Sequence, residues 1–210
     1  MKIVVFGASG RTGTLFVDQA LAAGHQVVAY VRRESALGKT HPNLKSLVGE
    51  LNSTTQLHAA IKGADVCVSC LGGGSLRKHA TKIMDGIDQI VKVAEMEGVN
   101  RFIYLSSLGV GESKYKIPQP LRFFIVDFML RVPLADHAVN EARITASKLN
   151  WTIVRPGGLN DGKQVTPLKF GTSNELLKGS ASISRASVAA FMLAQIDNAS
   201  FEKHAVWLCE

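Results

Sequence analysis

Residues 5–14 read VFGASGRTGT, with Gly7, Gly10 and Gly13 at every third position. They follow the apolar run 3–6 and precede a segment of helical periodicity. Strand, glycine-rich turn and helix in that order constrain this chain more than any other feature, because they are the context of a dinucleotide-binding β-α turn. Gly7 permits the sharp turn, Gly10 lets backbone N–H groups approach a pyrophosphate, and Gly13 lets the helix pack close to the strand. The helix N-terminus then offers unpaired N–H groups and a partial positive charge to phosphate oxygens.

The rest of the chain continues the alternation. Short apolar runs rich in β-branched residues predict strands at 2–6, 26–31, 44–48, 66–71, 101–105, 151–155 and 204–209, with a short strand and turn at 183–185. Between them, helical patterns cover 12–23, 53–61, 82–97, 135–147 and 186–196, several closed by a glycine such as Gly24, Gly63 or Gly98. Alternating strands and helices imply parallel crossovers and a sheet covered on both faces. The expected fold is α/β: a Rossmann-type doubly wound parallel sheet forming one domain over residues 1–210. Segments 109–134 and 157–182 are irregular. Each follows the carboxyl end of a strand, where open α/β sheets bind ligands, so they are expected to form the acceptor side.

Which nucleotide fits is read at the end of the second strand. An acid there would hold a ribose 2′-hydroxyl, whereas an arginine suits a 2′-phosphate. Arg32 and Arg33 occupy that strand end, and Glu34 comes only after them. Guanidinium forks pair well with phosphate oxygens, and Arg11 inside the glycine turn adds a further cation. NADP(H) is therefore expected over NAD(H). Gly49, Glu50 and Leu51 after the third strand would border the adenine. Leu71, Gly72 and Gly73, followed by Gly74, would run beside the ribose and pyrophosphate, unless the glycines are only a flexible linker.

Composition narrows the function classes. The net charge of +7 suits phosphate ligands, but the 24 Lys and Arg residues are scattered, with no basic block or aromatic-basic alternation, so no nucleic-acid partner is expected. The apolar start is too short for a signal peptide, and the greasy stretch 121–132 carries Arg122, Asp127 and Arg131. A cytoplasmic protein without membrane association follows, acting on a small-molecule acceptor as a monomer or weak homodimer. Cys67 and Cys70 form a C-x-x-C, yet they fall within a strand, where positions i and i+3 face opposite ways. With no second pair at zinc spacing, no metal site is expected and the thiols read as inert core groups.

Four segments together, GASGRTG, CLGGG, RFIYLSSLGV and WTIVRPGGL, resemble the atypical short-chain dehydrogenase/reductases. The chain is similar to their NmrA-like, NAD(P)H-binding branch, which includes flavin- and biliverdin-reducing enzymes. The resemblance spans nearly the whole chain and implies a single Rossmann domain with a small substrate cap. It implies that Gly7, Ser9, Gly10, Arg11, Thr12 and Gly13 line the pyrophosphate and that Arg32 meets the 2′-phosphate. Glu50 and Leu51 would meet the adenine, although the family usually has Asp where Glu50 stands. Leu71 and Gly72 would flank the ribose, and Ser106, Ser107 and the turn Pro156-Gly157-Gly158 would border the nicotinamide. Gly158 stands where the biliverdin-reducing enzyme has a histidine, so acceptor contacts there must differ.

Most short-chain reductases use a Tyr-x-x-x-Lys acid, and this chain has none. Four residues after Tyr30, Tyr104 and Tyr115 stand Glu34, Leu108 and Gln119. Either the protein reduces an acceptor that needs no tyrosine acid, such as a flavin, quinone or linear tetrapyrrole, or it is a non-catalytic NADP(H)-binding redox sensor. A carbonyl or nucleotide-sugar-like substrate with an unusual acid is a third reading. Ser107 is a candidate for holding the nicotinamide or the acceptor, if it is not simply a strand-end cap. His137 is a candidate proton donor, if it is not a packing residue. The aromatic stretch 121–130 is a pocket wall for a flat acceptor, a core helix or a dimer contact.

Overall fold

In the computed structural model, which describes residues 1–72, 75–172 and 181–210, the apolar runs pair into one mostly parallel sheet. Its strands in chain order are β1 (Lys2–Phe6), β2 (Gln26–Val31), β3 (Leu44–Val48), β4 (Val66–Ser69), β5 (Arg101–Leu105) and β6 (Asn150–Pro156). Three short strands follow, β7 (Gly158–Asn160), β8 (Lys169–Gly171) and β9 (Ser182–Ser184), and then β10 (His204–Cys209). The order in the main sheet is β3-β2-β1-β4-β5-β6-β10-β8, with only β8 antiparallel. The sequence order reverses between β1 and β4, so the crevice beyond their carboxyl ends is the switch point where ligands bind in such sheets.

The period of two in each strand sends alternate side chains into two separate cores. Ile3, Val5, Val27 and Ala29 face α1 (Arg11–Ala22) and α5 (Arg185–Ala194). Val4, Phe6, Val28 and Tyr30 face α2 (Thr54–Ile61), α3 (Thr81–Met96) and α4 (Arg131–Thr145). Strands buried on both faces are continuously apolar rather than alternating, as the sequence of β1 and β2 shows. Cys67 packs in the second core and Cys70 against the first, on opposite faces of the sheet. Burial pushes both thiols up to about 12, which leaves them protonated and inert.

The irregular segments hold more structure than their sequence suggests. Helix α4 starts at Arg131 rather than at 135, with Pro133 inside its first turn. Proline is tolerated there because its missing N–H would have had no intrahelical partner. Phe123–Met129 forms a π-helical stretch running into α4, and only Val126 in it is buried. A core helix is thus excluded for this stretch. β7 and β9 pair as a small separate sheet after β6, and β8 closes the edge beside β10.

Candidate cofactor and acceptor site

The glycine turn has the geometry its spacing predicts. Gly7 has φ +74°, and a Cβ there would lie 2.8 Å from the backbone carbonyl of Cys70 at the end of β4. That position needs glycine for conformation and for space. A Cβ on Gly13 would overlap the Gly7 carbonyl oxygen, so the first turn of α1 sits directly on the loop. Gly10 is the N-cap of α1 in extended conformation, and among the described residues no side chain is seen to cap the helix. Its first N–H groups therefore remain available to a ligand. Thr12 is buried, while Ser9 and Arg11 face outward.

Arg32 and Arg33 follow β2 as exposed side chains, and among the described residues neither has an ion-pair partner. Arg11, by contrast, is engaged. Asp161, just after β7, takes its guanidinium and also accepts from Arg185 Nη1 at 2.7 Å. Sequence reasoning missed Asp161 and Arg185, because nothing along the chain signals that residues 150 apart meet at the mouth of the glycine turn.

Around the crevice, the peptide after β3 is held by Tyr30, whose hydroxyl donates to the Glu50 carbonyl at 2.8 Å. Burial, and then the Glu50 charge, push that phenol up to about 12. Leu51 packs over Gly86 of α3, where a Cβ would lie 2.6 Å from it. Leu71 packs against the second core. Gly73 and Gly74 lie outside the described residues. Ser106 turns inward and donates to Glu141 Oε1 at 2.5 Å, and Arg155 grips the same carboxylate through Nε at 3.0 Å and Nη2 at 2.6 Å. Ser107 donates to the neighbouring Leu108 carbonyl at 3.2 Å and stays partly open. Gly157 has no room for a side chain against the Ala181 carbonyl, and its N–H donates to Leu208 at 3.0 Å.

His137 lies on the α4 face that looks towards Gly72. Tyr104 of β5 reaches its Nδ1 at 2.7 Å, and Asn140 Nδ2 donates to the Tyr104 hydroxyl at 3.0 Å. Burial lowers the His137 pKa more than the nearby Glu141 and Asp136 charges raise it, so its neutral form is favoured. The Tyr104–His137 pairing was not legible in the sequence, since it joins a strand to a helix across 33 positions. Further out, a cleft of about 390 Å3 lies between the loop after β5 and the π-helical stretch, bordered by Gly109, Lys114, Val126, Asp127 and Arg131. Among the described residues no cluster could hold a metal ion, and no helix is long and apolar enough to cross a membrane.

Residues 7–199 match the NAD(P)H-binding family, and the chain belongs to it. A Bacillus subtilis relative described as an uncharacterized sugar epimerase, YhfK, is 28% identical over all of this chain and 94% of its own length. Among solved structures, ChuY, an anaerobillin reductase of Escherichia coli O157:H7, superposes with a TM-score of 0.81 at 24% identity, covering all of this chain and 97% of that one. A Veillonella parvula short-chain dehydrogenase/reductase in complex with NADP gives 0.80 at 18%, covering all of this chain and 94% of that one.

Proposed function

We propose that the protein is an NADPH-dependent oxidoreductase that passes hydride to a flavin-, quinone- or tetrapyrrole-like acceptor. The observation that carries this reading is the pairing of the glycine turn that opens α1 with two exposed arginines at the end of β2, which have no ion-pair partner among the described residues. Gly7, Gly10 and Gly13 with Ser9, Arg11 and Thr12 would cradle the pyrophosphate, and Arg32 and Arg33 the 2′-phosphate. Glu50 and Leu51 would meet the adenine through backbone and packing. Leu71, Gly72 and Gly73 would flank the ribose, and Ser106, Ser107, Pro156 and Gly157 the nicotinamide. Ser106 would act through its backbone carbonyl, its hydroxyl being committed to Glu141 and its N–H to the Val154 carbonyl. When bound, NADPH supplies the hydride, and the chain supplies position and orientation.

A flat conjugated acceptor delocalises the incoming electron pair and takes its proton from solvent, which suits a site lacking the Tyr-x-x-x-Lys acid. The 390 Å3 cleft gives such an acceptor an apolar floor at Val126, with Lys114 and Arg131 at its rim for anionic substituents. Ser107, after β5, and His137, on α4 beside Gly72, are the candidate polar side chains for holding the nicotinamide or the acceptor. The reductase described for the E. coli neighbour agrees with the reading.

The test is an acceptor screen with FMN, menadione and biliverdin, following NADPH absorbance. Turnover with at least one acceptor is expected. Tight NADPH binding with no turnover on any of them would favour the redox-sensor reading. An Arg32→Glu variant should lose its preference for NADPH over NADH, and an unchanged preference would remove Arg32 from the site.

A further inference from the structure

Beside Gly72, a niche of about 20 Å3 opens between Gly72, Met84, Pro133, Asp136, His137 and Asn140. That is room for about one water-sized group. Asn140 is only 3% exposed, yet its Oδ1 has no hydrogen-bond partner among the described residues. A buried amide oxygen without a donor is costly. Its nitrogen is already committed to Tyr104.

The polarity of the neighbouring histidine follows from what the Tyr104 hydroxyl can bond to. An amide nitrogen only donates, and a phenol has a single proton to give. Asn140 Nδ2 donates to the Tyr104 hydroxyl at 3.0 Å, and among the described residues His137 Nδ1, at 2.7 Å, is the acceptor in reach of the phenol's own proton. Tyr104 therefore accepts from Asn140 and gives its single proton to His137 Nδ1. Nδ1 is then the acceptor of a neutral ring, and the proton of that ring sits on Nε2. The Cε1–Nε2 edge is turned towards Gly72, where an added Cβ would lie 3.5 Å from Cε1 and 3.7 Å from Nε2. The charged groups around the ring are consistent with this state. On α4, Asp136 is occupied by His79 Nδ1 at 2.5 Å and the Ala80 N–H at 2.8 Å, and Glu141 by Ser106 and Arg155. From β5 the Tyr104 phenol bears on it, and burial raises that pKa, so the phenol stays protonated.

We propose that the His137 Nε2–H donor and the orphaned Asn140 Oδ1 acceptor form a recognition niche for one hydroxyl group of a bound ligand. Tyr104 acts as the positioning residue that fixes the donor tautomer. A hydroxyl is the small group that both accepts from Nε2–H and donates to Oδ1, so it satisfies the two atoms at once. His137 then serves as a neutral hydrogen-bond donor rather than a source of protons. Handing its proton on would require Tyr104 to become a buried tyrosinate. This assignment rests on the oxidoreductase reading only for the source of the hydroxyl, which is a ribose of the nucleotide or a hydroxyl of the acceptor.

Long-range 1H–15N correlation spectra of histidine-labelled protein test it, with the His137 signals assigned by a His137→Gln variant. Without ligand, His137 should show a protonated Nε2 and a bare Nδ1, and in Tyr104→Phe its pKa should rise towards the ordinary range. NADP+ and FMN, each added alone, carry the two kinds of hydroxyl, and menadione carries none. The Nε2–H signal should move with NADP+ or with FMN, which identifies the source, and not with menadione. Asn140→Leu should weaken binding of that same ligand about 3- to 10-fold, as expected for one neutral hydrogen bond. His137→Gln, whose amide nitrogen replaces Nε2, should retain affinity that His137→Asn loses. A proton on Nδ1 in the unliganded wild type overturns the proposal whatever the variants do. So does an unmoved Nε2 signal while NADP+ is bound, as followed separately by NADPH fluorescence, and FMN is also without effect. Failure of NADP(H) to bind at all instead overturns the oxidoreductase reading, and the FMN titration then decides the niche alone.

Discussion

Single residues at this site divide into those whose role follows from local chemistry and those whose role depends on a distant partner. Gly7 and Gly13 belong to the first kind: their spacing after an apolar run already states why no side chain fits. Glu141 and Arg155 belong to the second. Each reads in the sequence as an ordinary charge, yet they are buried together and lock Ser106 at the end of β5. Asp161 is of the second kind too, and it leads to a prediction. Its carboxylate competes with any phosphate for Arg11 and Arg185. Asp161→Asn should free both guanidiniums and tighten NADPH binding. Exposed ion pairs are worth about 0.2–1 kcal/mol, so the gain should be about 1.4- to 5-fold and should shrink at high salt. Fluorescence titration at two ionic strengths measures this, and an unchanged or weaker affinity would show that Asp161 helps to hold the nucleotide rather than opposing it.

Elements were legible where a strong period met clear punctuation. The strands from Lys2–Phe6 to Val66–Ser69 and the helices between them fall close to where short apolar runs and helix-ending glycines put them. They were not legible where stability comes from long-range pairing. β7 to β9 are three residues each and are held by partners far along the chain, such as Ala181 under Gly157 and Gly158. The π-helical stretch is the instructive case. Its apolar composition fits a core helix, but Phe123 and Phe124 are each 63% exposed and Phe128 74%. Side chains that bury little area in this fold contribute little to its stability. Replacing all three by serine should therefore move the melting temperature by no more than about 2–4 °C, the shift of about 1 kcal/mol in a chain this long. If the stretch walls the acceptor cleft, the same variant should raise the acceptor KM several-fold and leave the affinity for NADPH unchanged. A large loss of thermal stability would mean that these rings are covered in solution, as a dimer contact would require.

At the scale of the whole molecule, acid and base should each loosen the fold for identifiable reasons. His137 titrates lower when folded than its ordinary 6.5. Below that pH the unfolded chain takes up a proton that the native site resists, so stability falls. Glu112 follows at lower pH. Burial raises its pKa, but a backbone hydrogen bond and then Arg155 outweigh that and hold it below 4.5, so its contribution is present above 4.5 and is lost on acidification. Cys67 and Cys70 act at the other end. Their folded values near 12 exceed the ordinary 9.0, so the stability they confer is present below pH 9 and fades above it. The melting temperature should peak between pH 6.5 and 9, and a maximum below pH 6 would contradict these assignments. Within that window, ligand linkage tests the site as a unit. A ligand at 100 times its dissociation constant stabilises the native state by about 2.7 kcal/mol. For 210 residues that is a rise of about 5–11 °C. If the arginines after β2 favour the phosphorylated nucleotide tenfold, NADH at the same concentration should give about 1.4 kcal/mol less, a rise smaller by about 3–6 °C. The two nucleotides should become equal in Arg32→Glu. Equal shifts in the wild-type protein would mean that the crevice grips the pyrophosphate through the glycine turn alone, with the guanidiniums as bystanders.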